Sequence, residues 1–399
     1  MQRKYAFIFH GDYWDNMWRR RQQIAWGLAR RPCVKLAVYV EQPLTLVSFL
    51  KFVVGRADPE ASSRWRRILV RGFVFRAATN IWIVTPVAIM GVSHWRRFGY
   101  WQLRLRGLFG GWLTRFVLFS SRHGEKVILW ISLPWLVIPS GVLSAAHLVW
   151  YDCTEDFSLL WGHDSSWRKL ISCLDEWWTR RADVVSVVSQ KLFDRKTLDN
   201  LFTYRVMNGV DLAAFKDISV QEPVDIARLP HPRLCSVGMV NDRYDWDLVR
   251  QIADMRPHWS IVFIGPVSLP TALRKKLPKQ VHYLGSKRYS ELPCYLAYSD
   301  VAVQVYKVDS LNDSGNSQKV FLYLASGIPI VSTPSADVRV FADEVAIATS
   351  ASDFVQQVER AVAEHSPSAS VARQRLAQQH SWDKRIDHIV SILEDRDPR

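Results

Sequence analysis

The alternation of short apolar runs with helical patterns is the feature that most constrains this fold. Near the N-terminus, KYAFIFHG (4–11), a helical segment (18–31) and VKLAVYVE (34–41) form a β-α-β opening. Apolar runs separated by helical patterns predict parallel strands joined by crossover helices. The alternation restarts at RLCSVGMV (233–240) and continues to about residue 380. Two such series predict an α/β chain with two doubly wound, Rossmann-like domains.

A polar segment that contains prolines, KDISVQEPVDIARLPHP (216–232), separates the two series. This composition is typical of linkers between domains. We therefore expect an N-terminal domain over 1–210 and a C-terminal domain over 211–380. A last helix begins at Ser381, whose hydroxyl is suited to cap it, and we assign residues 381–399 to this element.

No segment has the pattern of a leader or of a membrane span. The apolar run before Asp12 is too short for a signal peptide. The longest uncharged stretch, residues 127–150, is interrupted by Pro134 and Pro139, and it predicts a strand, a helical turn and a second strand. The five cysteines include no CxxC pair, which argues against a disulfide framework or a zinc site and favours a reducing cytosol.

Positive charge is concentrated in the N-terminal third. The formal net charge is +14; residues 1–126 hold 22 Lys and Arg against 6 Asp and Glu, whereas residues 127–399 hold 30 against 32. The first third also contains eight of the 18 tryptophans. Basic and aromatic residues together are typical of a surface for anionic lipid or for nucleic acid. A solvated basic face is the third alternative.

Two basic segments, 43–80 and 88–126, have an irregular pattern and flank a predicted strand at 80–86. Within the first, RWRRILVRGFVFRA (64–77) alternates cations with apolar residues, as interfacial membrane elements do. We expect the region of about 43–125 to face an anionic membrane surface, with the protein held peripherally on the inner face of the cell membrane.

The C-terminal series places small and cationic residues where a ligand is expected. In open parallel sheets, ligands bind beyond the carboxyl ends of the strands, where the N–H groups at helix starts hold anions. Lys319 lies in the first turn of a predicted helix, where a cation is disfavoured unless an anion joins it. The predicted ligand-binding residues are Gly238, Arg243, Gly265, Pro266, Asp313, Ser314, Gly315, Asn316, Ser317 and Lys319, of which Lys319, Arg243 and the helix amides are expected to hold an anion. The alternative is a solvated lysine near an ordinary helix cap.

An ordered set of motifs then resembles a known family. The segments WDNMWRRRQQIAWGLARR, ILWISLP, VWYDCTEDFS, NGVDLAAF, IVFIGP and KVFLYLASGIPIVST follow the order seen in bacterial GT-B glycosyltransferases, family-4-like, of the teichuronic-acid or exopolysaccharide type. The resemblance implies a GT-B fold, with two Rossmann-like domains facing across a cleft. It also implies that 1–210 binds the acceptor, that 211–380 binds a nucleotide-sugar, and that helix 381–399 crosses back to the first domain.

The resemblance assigns further roles residue by residue. The predicted acceptor-binding residues are Asp12, Trp14, Arg20 and Gln23. Relatives usually carry a glutamate for the ribose hydroxyls three residues after the lysine, but this chain has Leu322 there. Asp313 or Asp309 is the candidate substitute.

Transfer requires a stabilised leaving diphosphate and an acceptor for the hydroxyl proton. Lys319, Arg243 and the helix amides are expected to stabilise the diphosphate without a metal or other cofactor, since no DxD pair is well placed. Asp156 or Asp152 is the candidate proton acceptor of an inverting enzyme. In a retaining enzyme the leaving phosphate takes the proton, and both courses stay open.

These predictions together describe a glycosyltransferase, hexosyl- or glycuronosyl-, that moves a sugar from a nucleotide-sugar to a lipid-linked or polysaccharide acceptor. UDP is expected as the donor nucleotide only because the family that this sequence resembles commonly uses it. Three alternatives stay open: a GT-B-fold nucleotide-sugar epimerase, which needs acidic and histidine groups that the sequence does not cluster; a basic nucleic-acid-binding protein, although we expect no nucleic-acid partner; and a degenerate scaffold marked by Leu322. The donor sugar, the acceptor, the stereochemistry and the oligomeric state stay open.

Overall fold

The chain divides into two compact units, unit 1 (Met1–Val206) and unit 2 (Met207–Arg399). The computed structural model describes residues 4–15, 18–88, 125–136, 138, 140–159, 165–216 and 221–397. The division falls close to the boundary that we predicted between 210 and 211. The last helix belongs to unit 2, and its predicted crossing to the N-terminal domain stays a prediction.

Unit 1 is built on an eight-stranded sheet with the spatial order β10-β9-β8-β7-β1-β2-β5-β4. The strands of unit 1 are β1 Tyr5–His10, β2 Val34–Val40, β3 Leu44–Thr45, β4 Val74–Ala78, β5 Ile81–Val84, β6 Val87–Ala88, β7 Lys126–Ile131, β8 Leu148–Cys153, β9 Val184–Val187 and β10 Thr203–Arg205. The short strands β3 and β6 pair with each other apart from the main sheet. Every pairing in the main sheet is parallel except that of the edge strand β4 with β5. The strand order reverses beside β1, which makes its carboxyl end a switch point of the kind that binds ligands.

Helices cover this sheet as the β-α-β pattern predicts. The helices of unit 1 are α1 Arg20–Ala29, α2 Leu46–Val53, α3 Pro59–Arg71, α4 Ser140–Leu143, α5 Ser165–Arg181 and α6 Gln190–Thr197. The strand, helical turn and second strand predicted for 127–150 are confirmed as β7, α4 and β8. Within the described residues, no helix has both the length and the apolar composition that crossing a bilayer requires.

The prediction that 43–80 is irregular is wrong, because this segment contains α2, α3 and β4. Thr45 caps α2 and Asp58 caps α3, each accepting a hydrogen bond from a backbone N–H in the first turn. Trp65 of α3 packs against Phe49 of α2, with ring centroids 4.8 Å apart. The many arginines of this segment hide the helical spacing of its apolar residues. On the inner face of the helix pair, these apolar residues form a small core of their own. Most of the second irregular segment, 89–124, lies outside the described residues.

Unit 2 is built on a six-stranded, wholly parallel sheet with the order β13-β12-β11-β14-β15-β16. Its strands are β11 Arg233–Val237, β12 Ser260–Ile264, β13 Val281–Tyr283, β14 Val301–Gln304, β15 Ile330–Ser332 and β16 Ala346–Ile347. Its helices are α7 Val224–Ala227, α8 Trp246–Met255, α9 Thr271–Arg274, α10 Leu292–Ala297, α11 Ser310–Ser314, α12 Gln318–Ser326, α13 Ala336–Arg339, α14 Ala351–Ala363, α15 Pro367–Gln379 and α16 Trp382–Arg396. Short 3-10 turns lie at Leu212–Phe215 and Tyr289–Glu291. The strand order of this sheet reverses at β11, so the loop after β11 lies at a second switch point.

Two glycines shape the loop after β11. Gly238 and Gly265 have φ of +116° and +149°, which residues with a Cβ rarely adopt. A Cβ on Gly265 would lie 2.0 Å from the Gly238 carbonyl oxygen. The Gly238 N–H donates to the Ile264 carbonyl (2.8 Å), and the Val240 N–H to the Pro266 carbonyl (2.9 Å). The loop after β11 therefore rests directly on the end of β12.

Substituting Gly265 with Ala is expected to distort this loop. Gly285 is the matched control, because it also has a positive φ (+70°) but a Cβ added there would meet nothing within 4 Å. We expect Gly285→Ala to lower the free energy of unfolding by about 1 kcal/mol through backbone strain alone. Gly265→Ala should cost roughly 2 kcal/mol more, because the clash with Gly238 adds to the strain. Thermal unfolding of both variants measures the difference, and equal losses would show that Gly265 and Gly238 are not in close contact.

Candidate functional site

Lys319 lies almost fully buried in the first turn of α12, with 8% of its surface exposed. Its Nζ donates a hydrogen bond of 2.6 Å to the Tyr244 hydroxyl. The same nitrogen lies 4.6 Å from the centroid of the Tyr244 ring and 4.4 Å from that of Tyr306. The alternative of a solvated lysine is therefore wrong. Two aromatic faces and one hydroxyl take the place of the water that a surface ammonium would have.

The chemistry of this contact keeps the ammonium charged. Burial by itself would lower the pKa of Lys319, but Tyr244 and Tyr306 act in the opposite direction and leave it above its ordinary value. Burial also raises the pKa of Tyr244, so this side chain remains a neutral phenol at physiological pH. A fixed positive charge consequently lies at the N-terminal end of a helix, where the backbone dipole is positive as well.

A second cation lies beside the same residues. The Arg243 Nε donates to the Asn312 side-chain oxygen (2.9 Å), and its guanidinium lies 5.8 Å from the Tyr306 ring centroid. Two glycines leave room next to the cations: a Cβ on Gly238 would lie 3.6 Å from the Lys319 Nζ, and one on Gly315 would lie 3.6 Å from the Arg243 Nη2. The structure thus brings Gly238, Gly315, Arg243 and Lys319 together, and the loop that contains Gly238 rests on Gly265 and Pro266, which follow β12.

Two of the amides predicted to hold an anion already have protein acceptors. The Gly315 N–H donates to the Asn312 carbonyl (3.3 Å), and the Ser317 N–H donates to an Asp337 carboxylate oxygen (2.8 Å). Burial raises the pKa of Asp337, although hydrogen bonds from Ser335 and Ser317 oppose that rise. A carboxylate therefore already occupies part of the helix N-terminus, which leaves the two side-chain cations as the principal candidates for binding an anion.

Three further residues of the predicted donor set hold the loop itself. An Asp313 carboxylate oxygen accepts the Ala336 N–H (3.0 Å), and the Ser314 hydroxyl donates to the Leu311 carbonyl (2.8 Å). The Asn316 side-chain oxygen accepts the Asn208 N–H (2.8 Å). Their donor contacts stay a prediction, and the structure gives each of them a role in fixing the segment before α12.

Asp309 and Asp313 remain the two candidates for binding the ribose hydroxyls, because this chain has Leu322 where relatives carry a glutamate. Leu322 is buried, with 4% of its surface exposed. Asp309 caps α11 by accepting the Asn312 N–H (2.8 Å), and Asp313 accepts the Ala336 N–H. Either aspartate would have to exchange or share such a bond to reach a ribose hydroxyl.

In unit 1, Arg20 and Asp152 form a buried ion pair. The Arg20 Nε and Nη2 donate to the two Asp152 carboxylate oxygens at 3.0 and 2.8 Å, and the Ser186 hydroxyl donates to one of them at 2.7 Å. Asp152 has no exposed surface. Removing one partner of a buried pair of this kind is strongly destabilising, so the pair joins the start of α1 to the end of β8. To act as a proton acceptor, Asp152 would first have to leave these bonds.

Asp156 is engaged in a similar way, with 6% of its surface exposed. One of its oxygens accepts from the Ser158 hydroxyl (2.5 Å), and the other pairs with the Arg195 guanidinium (2.5 Å). Its pairing with a half-exposed arginine makes it the more accessible of the two candidate bases. Both catalytic roles stay predictions.

The other predicted acceptor-binding residues lie in the loop after β1 and on α1. Asp12 pairs with Arg21, and the Trp14 N–H donates to a Glu41 carboxylate oxygen (2.5 Å). The Trp14 ring lies 5.0 Å from that of Tyr39. Gln23 is buried, and its amide nitrogen has no hydrogen-bond partner among the described residues. Gln23 is thus the member of this set with unused hydrogen-bonding capacity.

Sequence reasoning missed four residues of these clusters. Tyr244 and Tyr306 hold the Lys319 ammonium, Asp337 accepts from the start of α12, and Asn208 pairs with Asn316. The polar residues give no signal in a single sequence. For the tyrosines, a signal exists: each follows a strand of the same sheet, so the rule that selected Arg243 also applies to Tyr244 and Tyr306.

His10 is the last residue of β1, and its imidazole provides a test of how burial affects stability. It is 4% exposed, and burial lowers its pKa to about 4. The unfolded chain binds a proton near pH 6.5 and the folded chain does not, so stability should fall as the pH drops from about 6.5 towards 4, by up to about 3 kcal/mol. Chemical denaturation at pH 7 and pH 5 measures the part of this loss that falls between those values, about 2 kcal/mol. His10→Gln should lose less stability over the same range, and an identical loss would show that His10 does not cause it.

The described residues contain no group of three or more His, Cys, Asp or Glu side chains arranged to hold a metal ion. The expectation of a metal-independent enzyme stays a prediction.

Two doubly wound units, with a cationic cluster beyond the switch point of the second sheet, are what the resemblance to GT-B proteins implies. Comparisons with known proteins agree. Residues 243–391 match the family described as "Glycosyl transferase-like". A Bacillus subtilis (strain 168) protein, provisionally named a glycosyltransferase of teichuronic acid biosynthesis, is 27% identical over 238 residues. The match covers 54% of this chain and 57% of that protein, so it spans little more than half of the relative's length.

Solved structures show the same fold over nearly the whole chain. Sucrose-phosphate synthase from Thermosynechococcus elongatus superposes with a TM-score of 0.67 at 12% identity, covering 98% of this chain and 99% of that one. An Anabaena protein crystallised with UDP and glucose has a TM-score of 0.61 at 14% identity, with the same coverage. These matches confirm the resemblance to GT-B glycosyltransferases and the α/β, GT-B fold class predicted from the sequence. The family match and the Bacillus relative agree with the predicted class of enzyme, a glycosyltransferase.

Proposed function

We propose that this chain is a glycosyltransferase that takes a sugar from a nucleotide-sugar, UDP-linked, and transfers it to a lipid-linked or polysaccharide acceptor in cell-surface or exopolysaccharide biosynthesis. The observation that carries the proposal is the pair of cations, Lys319 and Arg243, beside the glycine backbone of residues 238 and 315. The UDP in the Anabaena structure supports a UDP-linked donor, and the name of the Bacillus relative supports a cell-surface polymer.

The proposed reaction breaks the bond between the anomeric carbon and the diphosphate oxygen. Negative charge grows on the leaving diphosphate as this bond lengthens, so cations fixed beforehand stabilise the transition state more than the ground state. Lys319 is held by two tyrosines and Arg243 by Asn312, so neither cation has to reorganise when the charge develops. In this scheme the chain needs no metal for the leaving group.

The acceptor side is proposed for unit 1. Gln23 has unused hydrogen-bonding capacity, and Trp14 presents a partly exposed aromatic ring of the kind that packs against sugar rings. Asp156 is the preferred proton acceptor if the enzyme inverts, because it needs to release only the partly exposed Arg195. The basic N-terminal third supports a peripheral position on the inner face of the cell membrane, with the anionic surface as partner.

Lys319→Met tests the proposal most sharply. The methionine fits the buried site, and the Tyr244 hydroxyl keeps a partner in the Ser236 hydroxyl at 3.2 Å, so folding should survive. We expect this variant to lose about 100-fold or more in kcat/KM with a UDP-sugar. Tyr244→Phe, which leaves the ammonium without its hydroxyl partner, should lose roughly fivefold to tenfold. The matched control is Lys275→Met, at an exposed lysine after α9, which should behave like the wild type.

The assay is a panel of nucleotide-sugars read by product mass, with and without membrane lipid. Transfer by the wild type that disappears in Lys319→Met supports the proposal. Unchanged turnover in that variant would contradict the role of the site, and interconversion of donor sugars without transfer would identify an epimerase instead.

A further inference from the structure

The helix pair α2–α3 and the strand β4 that follows it carry many apolar side chains on their outer surface. Leu50 is 65% exposed and Val70 is 82% exposed. The exposed apolar residues are Leu46, Val47, Leu50, Val53 and Val54 at α2, and Leu69, Val70, Phe73 and Val74 from the end of α3 into β4. We call these nine residues the α2–β4 surface. Elsewhere among the described residues of unit 1, exposed large apolar side chains are fewer, as at Leu198 and Leu201.

The inner face of the same helix pair explains why this exposure is not a packing error. Phe49 and Phe52 of α2 already pack on the small core around Trp65. The outer face of α2 is therefore apolar in addition to a satisfied inner face. A helix that is apolar all round is stable in a protein core or against lipid, not in water.

The charges of this region point outward as well. Residues 44–84 contain seven Lys and Arg against two Asp and Glu. Arg64 and Arg67 turn inward and pair with the buried Glu41. The exposed cations are Lys51, Arg56, Arg66, Arg71 and Arg76. The outer surface thus combines apolar side chains with positive charge.

We propose that the α2–β4 surface docks on an anionic lipid bilayer, with its apolar side chains among the acyl chains and its cations at the phosphate headgroups. This inference deepens the membrane partnership proposed above and rests on it, but it does not depend on the transfer reaction. Charge complementarity selects anionic over neutral lipid. The nine apolar side chains select lipid over nucleic acid, because phosphodiester backbones offer nothing for exposed Leu, Val and Phe to contact.

The distribution of these side chains also indicates which segment inserts into the bilayer. The alternating pattern of 64–77 predicts an interfacial element in α3 and β4, yet α2 with its C-cap Val54 carries five of the nine apolar residues and only one cation, Lys51. We therefore assign insertion chiefly to α2 and electrostatic attraction chiefly to the arginines of α3 and β4.

Vesicle binding of the full chain tests this assignment. We expect the wild type to sediment with phosphatidylcholine vesicles that contain phosphatidylglycerol and not with phosphatidylcholine alone. Leu50→Gln with Val53→Gln should weaken binding by about tenfold or more, since two apolar anchors are lost. The matched control, Leu198→Gln with Leu201→Gln, removes two exposed leucines outside the surface and should bind as the wild type does.

The charge arm separates attraction from insertion. Arg66→Gln with Arg71→Gln should weaken binding by roughly 25-fold, at about fivefold for each cation removed. Lys275→Gln with Lys276→Gln removes two exposed cations of unit 2 and should have no effect. Added salt should weaken vesicle binding by the wild type. It should also abolish the difference in binding between the Arg66→Gln, Arg71→Gln variant and the Lys275→Gln, Lys276→Gln control.

Three results of the vesicle assay would overturn the proposal: no binding of the wild type to anionic vesicles, equal binding to neutral ones, or undiminished binding of the Leu50→Gln, Val53→Gln variant. A wild-type dimer in solution that this variant dissociates, without vesicle binding, would identify a second copy of the chain as the occupant and would also overturn it. Calorimetric titration with UDP on the same proteins keeps the two proposals apart. Normal vesicle binding without UDP binding would contradict the proposal of a UDP-linked donor and would leave the docking proposal unaffected.

Discussion

The contact on which this account depends is that of the Lys319 ammonium with two tyrosines. A cation in the first turn of a helix opposes the helix dipole, and its burial adds a desolvation cost. The structure compensates for both with the rings of Tyr244 and Tyr306 and with the Tyr244 hydroxyl. Because the compensation comes from neutral groups, the positive charge is not cancelled. A charge held in this way remains available to an incoming anion.

The surrounding fold places glycine backbone next to that charge. Gly265 lets the loop after β11 rest on the end of β12, and Gly238 has no Cβ at a point 3.6 Å from the ammonium. Asn312 orients Arg243, and the bonds of Asp313, Ser314 and Asn316 fix the segment before α12. Asp337 takes one amide of the helix start and thereby limits how many backbone donors a phosphate can use. The site therefore relies more on side-chain cations than on a bare helix N-terminus.

The sequence predicted the fold and the central residue of the site, and missed how that residue is held. Apolar runs and helical periods are local signals, and they placed β1, β7, β8 and the parallel sheets correctly. Lys319 was selected because its position conflicts with the helix dipole. Its tyrosine partners lie 75 and 13 residues away in the chain, at the ends of other strands, so the contact depends on tertiary structure. In 43–80, repeated arginines hid the period of α2 and α3, because Arg64 and Arg67 count as polar in a pattern but are turned inward onto Glu41.

A crystal structure of the chain with UDP would show whether Lys319 and Arg243 bind the diphosphate. We expect the diphosphate beyond the end of β11, with phosphate oxygens roughly 3 Å from the Lys319 Nζ and from the Arg243 guanidinium. Nucleotide bound anywhere else in the chain, or bound there with the Lys319 ammonium still turned away from both phosphates, would contradict it.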